Sequence, residues 1–179
     1  CPQHQLWHPD RAGGAAGQSL VVWLSSSLTT VGKRLQGATP IEALPFDLHV
    51  TSSSQLNPAL ARVASGQTLM AWVDDQPGGQ SRLSYTFLSP DGGGGPVQVA
   101  LVGELGDSVA VATSGSTSWL TVTDDATAHG VMLLNGGIRP PVPLTTAATR
   151  TTSLATVASA GSFLTVWSDG RGSTRQVWA

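Results

Sequence analysis

Charge is what this sequence has least of. Asp, Glu, Lys and Arg make up 11% of its 179 residues, against about a quarter in an ordinary soluble domain. The formal net charge is −2 and the pI near 6.0, so no general basic surface is on offer to nucleic acid or anionic lipid. Cysteine occurs once, at Cys1, which excludes an internal disulfide framework. No run approaches the roughly 18 apolar residues that a membrane-spanning helix needs. Aromatic residues are sparse at 6%, although six of them are Trp.

What is abundant is small and strand-forming. With 21 Gly and many Thr, Ser, Ala and Val, the chain reads as strands joined by tight turns. A hydrophobic content of 40% in regular runs argues against disorder. The length fits one domain, residues 1–179, large enough to bury a core.

One phrase recurs: an apolar run closing on Trp, then Asp or Ser, then a Gly-rich turn. It appears as "QTLMAWVDDQPGGQ" and again as "SFLTVWSDGRGS". Anchored on Trp23, Trp72, Thr123 (with Trp119 displaced earlier in its run) and Trp167, four units stand roughly 40 to 50 residues apart, a spacing typical of solenoids and propellers. "LARVASG" and "LATVASAG" precede two of the runs, and His8-Pro9 stands to Gly17 much as Asn57-Pro58 stands to Gly66. The approximate units are 8–56, 57–105, 106–151, and 152–179 with 1–7. Within the second, strands are expected over Pro58–Ala64, Thr68–Val73, Arg82–Leu88 and Val97–Val102, separated by "SGQ", "DDQPGGQS" and "SPDGGGG". Leu69, Met70, Ala71 and Trp72 are apolar on both faces, so this strand must be covered on both sides. A propeller blade lying between two others meets that demand. Each of Trp23, Trp72 and Trp167 is expected to bury its ring in a blade core and give its indole N–H to a nearby acceptor.

The order of small residues, Gly, "FLTVW", "SDGRG", a polar strand and a "DG" turn resembles the β-propeller repeats of secreted and envelope proteins of GC-rich bacteria. That resemblance implies a scaffold without shared catalytic residues. The expected fold is all-β, a small β-propeller of four four-stranded blades. The last unit stops after its third strand, and the N-terminal "QHQLW" is expected to supply the fourth and close the ring, since a bare final strand would leave an unpaired edge. A dimeric or larger propeller is the alternative.

Chemistry-bearing clusters are few. Cys1, His4 and His8 are spaced like half a zinc site, but a fourth ligand is lacking. Asp74, Asp75, Asp124, Asp125 and Asp169 recur after the apolar strand, where turn chemistry accounts for them better than acid–base work or Ca²⁺ binding. Gly92–Gly95 lacks the strand–glycine–helix setting and the Lys of a phosphate loop. His4, His8, His49 and His129 sit in unrelated contexts with no nucleophile elbow beside them. The Pro-rich stretch from Ile138 to Leu144 reads as an outer edge strand. No cofactor or metal is expected.

A mature chain beginning at Cys1 resembles a bacterial lipoprotein, in which that residue carries the lipid. The other reading is that residue 1 is simply where a fragment starts. The functional expectation is therefore a non-enzymatic interaction module, not an enzyme. It is exported to the periplasm or cell surface, lipid-anchored if Cys1 is modified, and docks on a protein partner in a larger envelope assembly. The alternative is a glycan-binding, lectin-like propeller, for which Trp7, Trp119 and Trp178 are the candidate ligand or interface aromatics. A hydrolase would instead be marked by Asp, Glu or His side chains converging on one end of a central channel.

Overall fold

In the computed structural model, which describes residues 7–13, 17–27, 29–49, 54–124, 127–145, 153–169 and 176–179, the chain forms four antiparallel sheets in sequence order. The first holds β1 (Trp7–Gly13), β2 (Gln18–Leu24) and β3 (Thr30–Gln36), with an outer edge in two pieces, β4 (Thr39–Pro40) and β5 (Phe46–His49). The second is β6 (Ser54–Arg62), β7 (Thr68–Asp75), β8 (Ser81–Leu88) and β9 (Gln98–Gly103). The third is β10 (Leu105–Ser114), β11 (Thr117–Asp124) and β12 (Ala128–Leu134), again with a divided edge, β13 (Gly137–Ile138) and β14 (Val142–Pro143). The fourth is β15 (Ser153–Ser159), β16 (Ser162–Asp169) and β17 (Gln176–Trp178). Every sheet is an up-and-down meander, which short turns permit. Asn135 and Gly136 take positive φ (51° and 78°) between β12 and β13, the backbone that an Asn-Gly hairpin turn requires.

The sheets stack face to face, with the first strands adjacent in the order β1, β6, β10 and β15. β7 shows why. Leu69, Met70, Ala71, Trp72 and Val73 are all fully buried, because alternate residues serve opposite neighbours. Met70 and Trp72 join Leu20, Val22, Leu60 and Leu88 between the first and second sheets. Leu69, Ala71 and Val73 join Leu83, Tyr85, Leu120, Val122 and Val131 between the second and third. The indole N–H of Trp72 is not left unpaired: it donates to Asp74 Oδ1 at 2.7 Å, and the Ser84 hydroxyl donates to the other carboxylate oxygen. Tyr85, whose hydroxyl burial pushes to a higher pKa, donates to Gln98 Oε1 at 2.7 Å.

The third and fourth sheets meet through a different chemistry. Trp119 stacks on Phe163 (centroids 6.2 Å apart, planes at 27°) and its Nε1 donates to Thr165 Oγ1 at 3.2 Å. Thr121, Thr156 and Thr165 continue the contact as a hydroxyl chain at 2.9 and 3.1 Å. The Trp119 ring lies so close over β12 that a Cβ at Gly130 would sit 2.0 Å from its Cζ2. Trp167 is buried on the same side, and its Nε1 has no hydrogen-bond partner among the described residues. The other face of the fourth sheet exposes Val157, Leu164 and Val177.

Several expectations change in detail. β6 starts at Ser54, not Pro58, because the strand runs on through a bulge. Thr123 does not occupy the place of Trp72. It alternates with Val122, which faces the second sheet, and so lies on the side of Thr121, which bonds to the fourth. The residue sharing the side of Trp72 is Val122. Trp23 alternates with the inward Val22 and is only half-buried. Ring closure by the N-terminal segment is not what β1 shows: Trp7 pairs with Leu24 in the first sheet, while residues 1–6 lie outside the described ones. Asp74 is buried under Trp72 and Ser84 and does not head a turn, whereas Asp124 does, accepting from Thr127 N and bonding His129 Nε2 at 2.8 Å. Asp75 is exposed, and the side chains of Asp125 and Asp169 lie outside the described residues.

Truncating Trp72 to Ala is expected to cost about 3–5 kcal/mol in urea unfolding, the range for a fully buried aromatic. Gly130→Ala should cost about 1–3 kcal/mol through the clash with Trp119. Adding Trp119→Leu should recover part of that loss, a non-additivity that a double-mutant cycle measures.

Candidate functional site

The first strand of each sheet has a free edge, and the residues along it set the site. In β1, β6 and β10 the ladder breaks between Trp7 and Asp10, Leu56 and Ala59, and Leu105 and Val109. Bulges of this kind bend a strand and re-aim its side chains. Pro9 and Pro58 fall inside two of them, where a missing N–H removes no ladder bond. β15 pairs without a break.

The four first strands together enclose an open cleft of about 580 Å³, lined by Asp10, 57–60, 107–111 and 153–156. Its floor is apolar, with Ala59, Leu60, Val109, Val111 and Leu154. Its polar groups are Asp10, Asn57, Asp107, Ser108, Ser153 and Thr156. Side chains join one first strand to the next. Asp10 Oδ2 accepts the Leu60 N–H at 2.6 Å, and its Oδ1 accepts the Arg11 N–H at 2.7 Å. The Asn57 amide donates to the Asp107 carbonyl. Further along, the Thr113 hydroxyl donates to the Arg62 carbonyl. Asn57 holds a positive φ of 46°, which Asn tolerates better than most residues. The Asp107 carboxylate is exposed and has no hydrogen-bond donor among the described residues.

Two carboxylates and several hydroxyls over an apolar floor can bind a polyhydroxylated ligand and move protons at it. Among the described residues, no three His, Cys, Asp or Glu side chains gather as metal ligands.

The residues singled out in the sequence fall elsewhere. Trp72 and Trp167 are buried between sheets, and Trp23 is half-buried. Trp119 packs between the third and fourth sheets, and Trp178 is partly exposed on β17 opposite Trp167. None of these lines the cleft. Trp7 begins β1 with its side chain outside the described residues, where Cys1 also lies. Asp10 and Asp107 carry no signal of their own in the sequence, although the paired His8-Pro9 and Asn57-Pro58 steps mark two of the bulges.

The chain matches no protein-family model and no curated protein sequence. Its fold does match solved structures. A thermostable family-43 glycoside hydrolase superposes with a TM-score of 0.64 at 11% identity, over 96% of this chain and 70% of that one. An endo-arabinase from Bacteroides thetaiotaomicron does so with a TM-score of 0.65 at 9% identity, over 98% and 74%. A Hadza microbial sialidase gives 0.60 at 14%, covering 93% of this chain and 40% of its own. These neighbours make the fold β-propeller-type. They also overturn two expectations, the non-enzymatic docking module and the absence of enzymatic activity. The similar structures named here are two glycoside hydrolases and a sialidase, and the glycan alternative fits them better.

The Asn57 bond and backbone should be separable in urea unfolding. Asn57→Gly loses only the hydrogen bond, about 1 kcal/mol. Asn57→Ala should lose about 1–2 kcal/mol more, because Ala resists the left-handed conformation. Equal losses would contradict the geometry given for this bulge.

Proposed function

We propose that this chain recognises a glycan in the cleft between its first strands. The observation that carries the reading is that all four sheets contribute to this one opening, which gathers Asp10, Asp107 and the Ser108, Ser153 and Thr156 hydroxyls over an apolar floor. Carboxylate and hydroxyl oxygens pair with the hydroxyls of a sugar, and the apolar floor takes the C–H face. Solved structures of similar fold that act on arabinan, xylan or sialosides support it.

A second reading, hydrolysis of the glycosidic bond, is favoured by the two carboxyl groups sharing the cleft. Such hydrolysis uses one carboxyl to protonate the leaving oxygen and another as nucleophile or base. Asp107, with its carboxylate free of donors among the described residues, is the one open to substrate. Asp10 is anchored through both oxygens and would hold its place opposite. In this reading the four sheets are four propeller blades.

Titration calorimetry with arabino- and xylo-oligosaccharides and sialyllactose, alongside a reducing-end assay, tests the proposal. At least one saccharide should bind, and Asp107→Asn should weaken its binding while the protein stays folded. If turnover occurs, the same change should cut it by roughly 10²- to 10⁴-fold, the usual worth of a proton-transfer group. Binding unaffected by Asp107→Asn, or no binding across the panel, would reject the cleft as the site.

A further inference from the structure

A second opening lies between the first and second sheets, two residues further along β1 and β6 than the cleft's Asp10 and Leu60. It is a pocket of about 60 Å³ whose walls include Ala12, Leu20, Thr68 and Ser89, and both Arg34 and Arg62 border it. Two half-buried guanidinium groups facing one small space repel each other unless an anion lies between them. Arg34 is partly satisfied: its backbone N–H and its Nε both donate to Glu42. Partial burial opposes ionisation of Glu42, but these Arg34 contacts outweigh it and hold the carboxyl below its usual range. The terminal nitrogens of Arg34 have no acceptor among the described residues, and neither does any nitrogen of the Arg62 guanidinium.

The other carboxylate at this side is already engaged. Asp91, on the loop that contributes Ser89 and Gly92 to the pocket, accepts from the Ser89 hydroxyl and from the Gly93 N–H at 3.3 Å. The Arg34 charge also acts on Asp91, so both carboxylates stand against Arg34, while Arg62 keeps a fork of unused N–H donors among the described residues.

We infer that this pocket is an oxyanion site, in which Arg62 and the free nitrogens of Arg34 hold a sulfate, a phosphate or a carboxylate group. Its volume suits a group of a few heavy atoms, since each water needs roughly 10–15 Å³ of such space. Guanidinium groups bind planar or tetrahedral oxyanions through paired N–H donors. The Thr68 hydroxyl at the wall adds a further donor. Nothing in this inference depends on the glycan reading of the cleft.

The ion is either free or borne on a larger molecule, and the titrants separate the two. Calorimetry at matched ionic strength would use sulfate, phosphate, glucuronate and glucose, with chloride as the background. Wild-type protein should bind an oxyanion saturably. Arg62→Gln, which keeps the length and polarity of the side chain, should weaken that binding at least tenfold, and Arg62→Lys should weaken it less. Arg82→Gln, an exposed arginine on β8, should leave it unchanged. Binding of sulfate or phosphate alone supports a free ion, and binding of glucuronate but not glucose supports a sugar-borne carboxylate. An oxyanion response equal in wild type and Arg62→Gln, or no response from folded wild-type protein, overturns the inference. Far-UV circular dichroism of each variant establishes that it is folded.

Discussion

The fold rests on a strand that cannot be left with a wet face. β7 sends Met70 and Trp72 one way and Leu69, Ala71 and Val73 the other, and all five are fully buried. A sheet built on such a strand is unstable alone, because exposing either face to water costs the transfer energy of those side chains. It must lie between two others, so the first and third sheets are drawn onto it face to face. The polar atoms this burial traps are then paired locally: Trp72 with Asp74, Ser84 with the same carboxylate, Tyr85 with Gln98.

Stacking sheets face to face has a consequence at their inner edges. The first strand of each sheet has no ladder partner on its outer side, and its backbone groups there must find other partners. Side chains of the neighbouring first strand provide them. Asp10 takes the Leu60 N–H, Asn57 caps the Asp107 carbonyl and Thr113 caps the Arg62 carbonyl. Side-chain bonds in place of a ladder join the inner strands, and the cleft opens between them. The constraint that builds the core thus also leaves an opening lined by polar groups, in a fold that glycoside hydrolases and sialidases share.

Much of this architecture was legible in the residues. The two-sided apolar run and the Gly-rich turns give strand identity and order, and β7, β8 and β9 fall close to the spans expected of them. Edge chemistry was readable too, since the prolines of 138–144 lie at the divided outer edge formed by β13 and β14. The phase of the third unit was not. Matching Thr123 to Trp72 ignored the alternation that puts Val122 on that side, and a one-residue slip exchanges the faces. The cleft was harder still. Its polar residues owe their positions to bulges in three strands from separate units, and a bulge leaves only a faint local trace, here the His-Pro and Asn-Pro steps. The conspicuous Trp residues mark the places where sheets pack, away from the cleft.

The claim at the centre of this account is that the cleft between the first strands receives a saccharide. Its most direct test is a crystal structure determined with an arabino-oligosaccharide or xylotriose at saturating concentration. A sugar should sit over Ala59 and Val109, with a hydroxyl or glycosidic oxygen about 2.6–3.2 Å from the Asp107 carboxylate. A sugar bound elsewhere, such as against Trp178, with the cleft empty would contradict it.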